Sequence, residues 1–339
     1  MGKKILLTGG AGYIGSHTYV ALVEAGHEVV ILDDFSNARE DVPERLELIT
    51  GKPVTFHRGN LLDPATLDSV FESHKIDAVV HFAAKKAVGE SMQIPLEYIE
   101  VNCAGLIALL KRMQAAGCFR LVFSSSATVY GEPKVVPIPE EAERFYTSTY
   151  AYTKLMGEQI LEQLAAADDR WAFGTLRYFN PVGAHRSGLI GEDPNGIPNN
   201  LMPYIAKVAV GELPALNVFG NDYDTPDGTG LRDYIHVEDL ARAHVLSLEA
   251  LMERGEGHVL NIGTGQAYSV LEMLKAYERA CGKHLPHVIA PRRPGDVPVL
   301  LARVERAAQV LGFRAEHGLD DMCASSWAWI SRLRNAKAR

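Results

Sequence analysis

The sequence predicts an α/β protein, a doubly wound parallel sheet with a smaller α/β lobe on its C-terminal side. Two observations predict it. Short apolar runs alternate with helical stretches through the first 180 residues, and a glycine-rich turn joins the first run to the first helix. Repeated strand–helix units require a parallel sheet covered on both faces. Beyond residue 180 the chain passes into loops rich in Gly, Pro and Asn. A division into 1–180 and 181–339 is therefore expected, with some segments crossing back. The 339 residues suit one large domain with an appended lobe.

The elements follow in order. Residues 3–8 form a short apolar strand, followed by Gly9-Gly10-Ala11-Gly12-Tyr13-Ile14-Gly15 and a helix over 13–25 that stops at Gly26. A second strand, 28–32, leads to Asp33 and Asp34. Strand, glycine turn, helix, strand and acid together make a dinucleotide-binding, Rossmann-type fingerprint. Glycines allow close backbone approach, and the helix start offers free N–H groups to a pyrophosphate. Asp33, about 20 residues past the glycines, is placed to bond ribose hydroxyls and to repel a 2′-phosphate, which favours NAD over NADP.

The alternation continues with a strand over 54–57, the exit Gly59-Asn60-Leu61, and a helix from Asp63-Pro64 to about His74. An apolar strand over 76–83 ends in small residues, Ala83-Ala84, that let backbone approach a cofactor. One long helix is expected over 96–116, carrying Asn102. The strand over 121–124 ends in a hydroxyl cluster, Ser124-Ser125-Ser126. Ligands in such sheets bind at the carboxyl ends of strands, where this cluster falls.

Downstream lies Tyr150-Ala151-Tyr152-Thr153-Lys154. In a helix, Tyr150 and Lys154 share a face, whereas Tyr152 points elsewhere. A phenol titrates near 10, so lowering it by about 3 units needs about 4 kcal/mol of differential interaction. An adjacent ammonium is expected to supply it, making Tyr150 a base able to take a proton from a sugar or alcohol hydroxyl.

Further strands are expected over 171–178 and 216–219, loops over 182–200 and 221–230, and helices over 202–211, 238–252 and 319–333. His236 directly precedes the expected cap of a helix and is read as structural, not as a second base.

Composition narrows the classes. Hydrophobic content of 47% and charged content of 22% describe a globular chain, and the net charge of −8 argues against nucleic acid as the main partner. No apolar run is long enough to span a membrane. Cys103, Cys118, Cys281 and Cys323 are scattered, without the spacing of a zinc site or disulfide framework, so a reducing cytoplasm and no metal are expected.

These motifs accumulate into a resemblance. With His81-Phe82-Ala83-Ala84, Ser124-Ser125-Ser126-Ala127-Thr128-Val129-Tyr130-Gly131 and Tyr150-x-x-x-Lys154, the chain resembles the extended short-chain dehydrogenase/reductase family. Arg177-Tyr178-Phe179-Asn180-Pro181, Pro198-Asn199-Asn200-Leu201, Arg232-Asp233-Tyr234-Ile235-His236 and Pro291-Arg292-Arg293-Pro294-Gly295-Asp296 narrow it to the UDP-hexose 4-epimerase branch. The resemblance implies interconversion of UDP-galactose and UDP-glucose through a 4-keto sugar, with tightly bound NAD+ and a homodimer; apolar helices near 96–116 and 150–164 either build its interface or only cover the sheet. It implies catalysis by Ser126, Tyr150 and Lys154, with Tyr150 as base, Lys154 lowering its pKa, and Ser126 bonding the 4-oxygen and helping to relay its proton. Implied cofactor contacts are Gly9, Gly12, Tyr13, Ile14, Gly15, Asp33, Asp34, Asn37, Asn60, Leu61, Phe82, Ala83, Ala84, Lys86, Asn102, Ser124, Tyr150, Lys154 and Tyr178. Implied substrate contacts are Lys86, Ser126, Tyr150, Phe179, Asn180, Asn200, Leu201, Asn217, Phe219, Arg232, Arg293, Asp296 and Leu300. In these sets Arg232 and Arg293 would clamp the diphosphate, Phe219 flank uracil and Asp296 bond the uridine ribose.

Three positions depart from the family pattern. Asn60 replaces an Asp facing the adenine amine, and Ala84 replaces a Gly. Leu300 stands at the size gate for the sugar 2-substituent, where Tyr is usual in enzymes confined to plain hexoses. Either N-acetylated UDP-hexosamines enter, or neighbouring residues refill the space. A nucleotide-sugar 4,6-dehydratase would need an Asp-Glu pair where Ala127-Thr128 stands. A silent NAD-binding module would have no need of Ser126, Tyr150 and Lys154.

Overall fold

The computed structural model describes residues 2–337 except 195, 197 and 294. The first half runs β1 (Lys4–Thr8), α1 (Tyr13–Glu24), β2 (Glu28–Asp33), α2 (Val42–Thr50), β3 (Thr55–Arg58), α3 (Pro64–Ser73), β4 (Ala78–His81), α4 (Val88–Ser91), α5 (Pro95–Ile99) and α6 (Gly105–Ala115). It continues with β5 (Arg120–Ser126), α7 (Thr149–Ala167) and β6 (Ala172–Tyr178). The second half adds β7 (Asn180–Val182), α8 (Leu201–Ala209), β8 (Leu216–Phe219), β9 (Leu231–His236), α9 (Val237–Arg254), β10 (His258–Ile262), β11 (Ala267–Ser269) and α10 (Val270–Cys281). It ends with β12 (His287–Ala290), β13 (Val299–Leu300), α11 (Glu305–Leu311) and α12 (Leu319–Lys337).

Seven strands form one parallel sheet in the order β10-β6-β5-β4-β1-β2-β3. Side chains of a strand alternate between faces, and β1 shows the result. Ile5 and Leu7 join a core with Tyr19 and Val20 of α1 and Leu240 and Leu248 of α9. Leu6 joins the opposite core, with Leu67 and Val70 of α3 and Leu106 and Leu109 of α6. Both faces are covered, so β1 is apolar without interruption. The strand order reverses between β1 and β4, which opens the crevice where this architecture binds ligands.

Residues after 180 build a separate core from α8, α10 and α12, with β9 paired to β7, β11 and β13. The segment from α9 to β10 returns to the large sheet, with β10 at its edge beside β6. The 182–200 stretch begins in strand rather than loop, because β7 pairs with β9.

Ends of elements were the less legible part. Asp63 caps α3 through a bond from the Ala65 amide at 3.1 Å, as its Asp-Pro signature predicts. The helix expected over 96–116 is interrupted by a π turn at Glu100–Ala104. Asn102 sits in that turn and is buried. Its amide oxygen accepts from Lys85 N at 2.8 Å, while its amide nitrogen donates to Lys85 O at 3.0 Å and Thr153 Oγ1 at 2.9 Å. The extra residue per turn turns this amide inward, a use to which single π turns are often put.

Candidate active site

The glycine turn leaves β1 and enters α1. Gly9 has φ of +72°, and a Cβ there would stand 2.6 Å from the Ala83 amide nitrogen; a Cβ at Gly15 would collide with the Gly9 carbonyl. Gly12 precedes α1, whose start carries no side-chain cap and no acidic residue. The first amides of α1, at Tyr13 and Ile14, are thereby left for an anion. The Tyr13 hydroxyl donates to Gly183 O at 2.7 Å, tying this turn to the second half of the chain. Asp33, at the end of β2, accepts from Ala11 N at 2.9 Å and Phe35 N at 2.8 Å. Burial raises its carboxyl above the ordinary value, and those amides oppose the rise. These features fit an NAD molecule laid across β1 and β2.

Asp34 and Asn60 form the neighbouring rim, joined by an Asn60 Nδ2 bond of 2.9 Å, and Asn37 is exposed beyond them. Asn60 Oδ1 already accepts from Leu62 N at 2.9 Å. A carbonyl oxygen has a second lone pair, so an adenine amine can still be bonded. Leu61 is buried, Phe82, Ala83 and Ala84 are half-buried after β4, and Lys86 is exposed. Asn102 bonds the Lys85 backbone and Thr153 and so holds the β4 exit loop against α7; its Oδ1 keeps a second lone pair, which the cofactor contact implied by the resemblance would use.

Ser124 and Ser126 end β5, and Ser148 caps α7 by accepting from Ala151 N, which sets Tyr150 in the first turn. Tyr150, Lys154 and Glu158 follow at four-residue spacing on one face. Glu158 is buried and bonded by Arg177 at 2.6 and 2.8 Å and by Ser125 at 2.5 Å. This network welds α7 to β5 and β6. The Tyr178 hydroxyl bonds the Ser124 hydroxyl.

The Lys154 Nζ donates to the Ser124 carbonyl at 2.6 Å and lies 5.9 Å from the Tyr150 ring centroid. Burial pushes the Tyr150 phenol up to about 12, and the Ser126 hydroxyl is the group that opposes the rise. Burial pulls Lys154 down to about 8, with Cys103 and Glu158 opposing the fall. Burial disfavours the charged form of each group, and that cost dominates both shifts.

The remaining residues line the crevice on the side of the second half. Lys86 Nζ and Asn200 Nδ2 each lie 3.2 Å from the same Glu192 oxygen. Arg293 donates to Asp296 at 2.9 Å, and Arg232 Nη2 lies 3.8 Å from the same carboxylate. Pro294, inside that motif, lies outside the described residues. The Arg293 guanidinium also covers the Phe219 ring at 4.8 Å, and Asn217 bonds the Tyr204 hydroxyl at 3.4 Å. Phe179 and Leu300 belong with Ala127 and Leu155 to one apolar cluster. Asn180 is exposed in β7, and Leu201 opens α8. His236 caps α9, accepting from Glu238 N at 3.1 Å, as its position before that helix suggested.

A family model described as the NAD dependent epimerase/dehydratase family matches residues 5–263. The chain is 54% identical to UDP-glucose 4-epimerase of Bacillus subtilis over 96% of each chain. The chain belongs to the NAD-dependent epimerase/dehydratase family. Within this family it is also 51% identical to UDP-glucose 4-epimerase of Dictyostelium discoideum, over 97% of this chain and 96% of that protein. Its structure matches that of UDP-glucose 4-epimerase from Stenotrophomonas maltophila, which holds bound NAD and formylated UDP-arabinopyranose. That match has a TM-score of 0.97 and 50% identity, covering 98% of this chain and 99% of that one.

Sequence reasoning missed two residues of this family member's crevice. Glu192 lies in a stretch read only as loop, with no periodicity to single it out. Thr128 stands out in the sequence only as the absence of a dehydratase acid. Neither carried a signal beyond its neighbourhood to Asn200 and Ser126.

Proposed function

We propose that this chain is a UDP-glucose 4-epimerase, inverting C4 of UDP-galactose and UDP-glucose through a 4-keto sugar while keeping NAD+ bound. One observation carries the reading. Half-buried Ser126 and Tyr150 stand with buried Lys154 at the strand ends beside a dinucleotide cradle, in a chain that also brings together cations suited to a diphosphate. When bound, the nicotinamide supplies a reversible hydride acceptor for C4 and a positive charge that lowers nearby pKa values. Gly9, Gly12, Tyr13, Ile14, Gly15 and Asp33 hold the cofactor's pyrophosphate and ribose. Lys154, drawn down by burial yet still cationic near neutrality, adds charge beneath Tyr150. Tyr150 Oη takes the proton of the sugar 4-hydroxyl and returns it to the same 4-oxygen once the ketone has turned its opposite face to the cofactor. Arg232, Arg293, Lys86 and Asn200 anchor the diphosphate, about which the ketone turns.

In this reading residues 1–180 supply the cofactor and catalytic groups, and residues 181–339 supply most UDP contacts. We place the chain in the cytoplasm, a compartment that suits its four unpaired cysteines. No described helix is long and apolar enough to cross a membrane. A homodimer through α5, α6 and α7 is supported by Met92, Leu96 and Ile107, which are 60%, 80% and 39% exposed. Light scattering that returned a monomer mass would remove it.

The deciding experiment incubates purified protein with UDP-galactose, without added cofactor, and follows the sugar by NMR. Conversion to a UDP-glucose-rich mixture with no net NADH is expected. No conversion even after NAD+ is added would overturn the assignment.

A further inference from the structure

Ser126 ends β5 in extended conformation and starts a single 3-10 turn, Ala127–Tyr130. The turn is firmly held. Val129 and Tyr130 are buried, and the Tyr130 hydroxyl donates to Asn261 at 2.6 Å. Ala127 turns into the apolar cluster with Leu155 and Phe179. Thr128 is half-buried, and its position is fixed by neighbours on both sides. It meets Ser126 twice: its amide donates to Ser126 Oγ at 3.2 Å, and its hydroxyl donates to the same oxygen at 3.0 Å.

A serine hydroxyl has one proton to give and two lone pairs to receive. Both lone pairs of Ser126 are occupied by Thr128. We propose that Thr128 is a positioning residue that makes Ser126 a donor only, aimed at the Tyr150 phenol. The inference rests on the epimerase reading above and deepens it. It bears on how the proton moves. Ser126 has no free acceptor site, so it cannot take the proton that leaves the sugar. Tyr150 exchanges that proton directly with the sugar 4-oxygen, and Ser126 stabilises the phenolate by hydrogen bonding. With the amide alone, one lone pair would be free. The Ser126 proton could then turn away and the phenolate would lose its donor for part of the time.

The test compares wild type, Thr128→Val and Thr128→Ser as NAD-loaded proteins. Valine keeps the shape and the backbone amide but removes the hydroxyl; serine keeps the hydroxyl. Two readouts are taken: kcat and KM for UDP-galactose across pH, and the ultraviolet tyrosinate titration that Tyr150→Phe abolishes. In the valine variant the Tyr150 midpoint and the acid limb of kcat should both move up by about one pH unit, and kcat at neutral pH should fall about tenfold with KM unchanged. Serine should restore wild-type values. An unmoved midpoint in the valine variant, or a raised KM with full kcat, would overturn the proposal; the second result would make Thr128 a sugar ligand. Inactivity of the wild type on UDP-galactose would sink the epimerase reading alone, because the titration still compares the valine variant with wild type.

Discussion

At the scale of single residues, the site is governed by the cost of burying charge. Tyr150 and Lys154 sit four residues apart, yet the ammonium is turned to the Ser124 carbonyl and the phenol is pushed up, not down. A phenolate at Tyr150 therefore needs more positive charge than Lys154 alone provides, which a bound nicotinamide would add. Leu300 presents a different residue-scale question. It packs against the apolar cluster of Ala127 and Phe179, and Ala127 directly follows Ser126, the proposed catalytic serine. Leucine is shorter than tyrosine, so an N-acetyl group would meet a smaller side chain there. Wild type is expected to turn over UDP-GlcNAc, and Leu300→Tyr to slow that reaction about tenfold or more while sparing UDP-galactose. Equal UDP-GlcNAc rates in the two proteins would show that the space is refilled from elsewhere.

At the scale of elements, connections carry the substrate chemistry. The loop between β7 and α8 brings Glu192 against Lys86 and Asn200, and the stretch before β13 brings Asp296 against Arg232 and Arg293. Each proposed diphosphate ligand is thus held by a carboxylate of the chain. Such pairs keep the cations in place, and they must be exchanged for phosphate oxygens when UDP enters. Lys86 is nearly half exposed, so its ion pair is worth well under about 1 kcal/mol after solvent screening. Glu192→Gln should therefore tighten UDP a few-fold, as measured by calorimetry, with a steeper fall of affinity with salt. Weaker UDP binding in this variant would mean that Glu192 orders the ligands more than it competes for them.

At the scale of the whole molecule, pH stability follows from buried histidines. Burial lowers His17 and His81 to about 3 and His244 to about 4. Unfolded, each titrates near 6.5, so between 6.5 and about 4 the unfolded chain binds more protons and stability falls with pH. The slope reaches about 1.4 kcal/mol per pH unit for each such histidine. Melting temperature should hold from pH 8 to 7 and drop steeply between 6 and 4.5. A flat profile down to pH 4.5 would mean that these rings are charged in the folded protein.

Much of this protein could be read from its sequence. The glycine turn, Asp33, the hydroxyl strand end and the Tyr150–Lys154 spacing are local patterns, and local patterns follow from backbone geometry that a few adjacent residues dictate. The parallel sheet was legible for the same reason, since the strand–helix repeat has few alternatives. Tertiary structure alone decided the rest. It made Asn102 a brace between the β4 exit and α7, because a π turn faces its amide toward Lys85 and Thr153. It brought Glu192 to Lys86 across 106 residues and returned α9 and β10 to the large sheet. It also set the direction of the Tyr150 shift, because desolvation depends on everything packed around a group, and four residues of spacing carry no record of that.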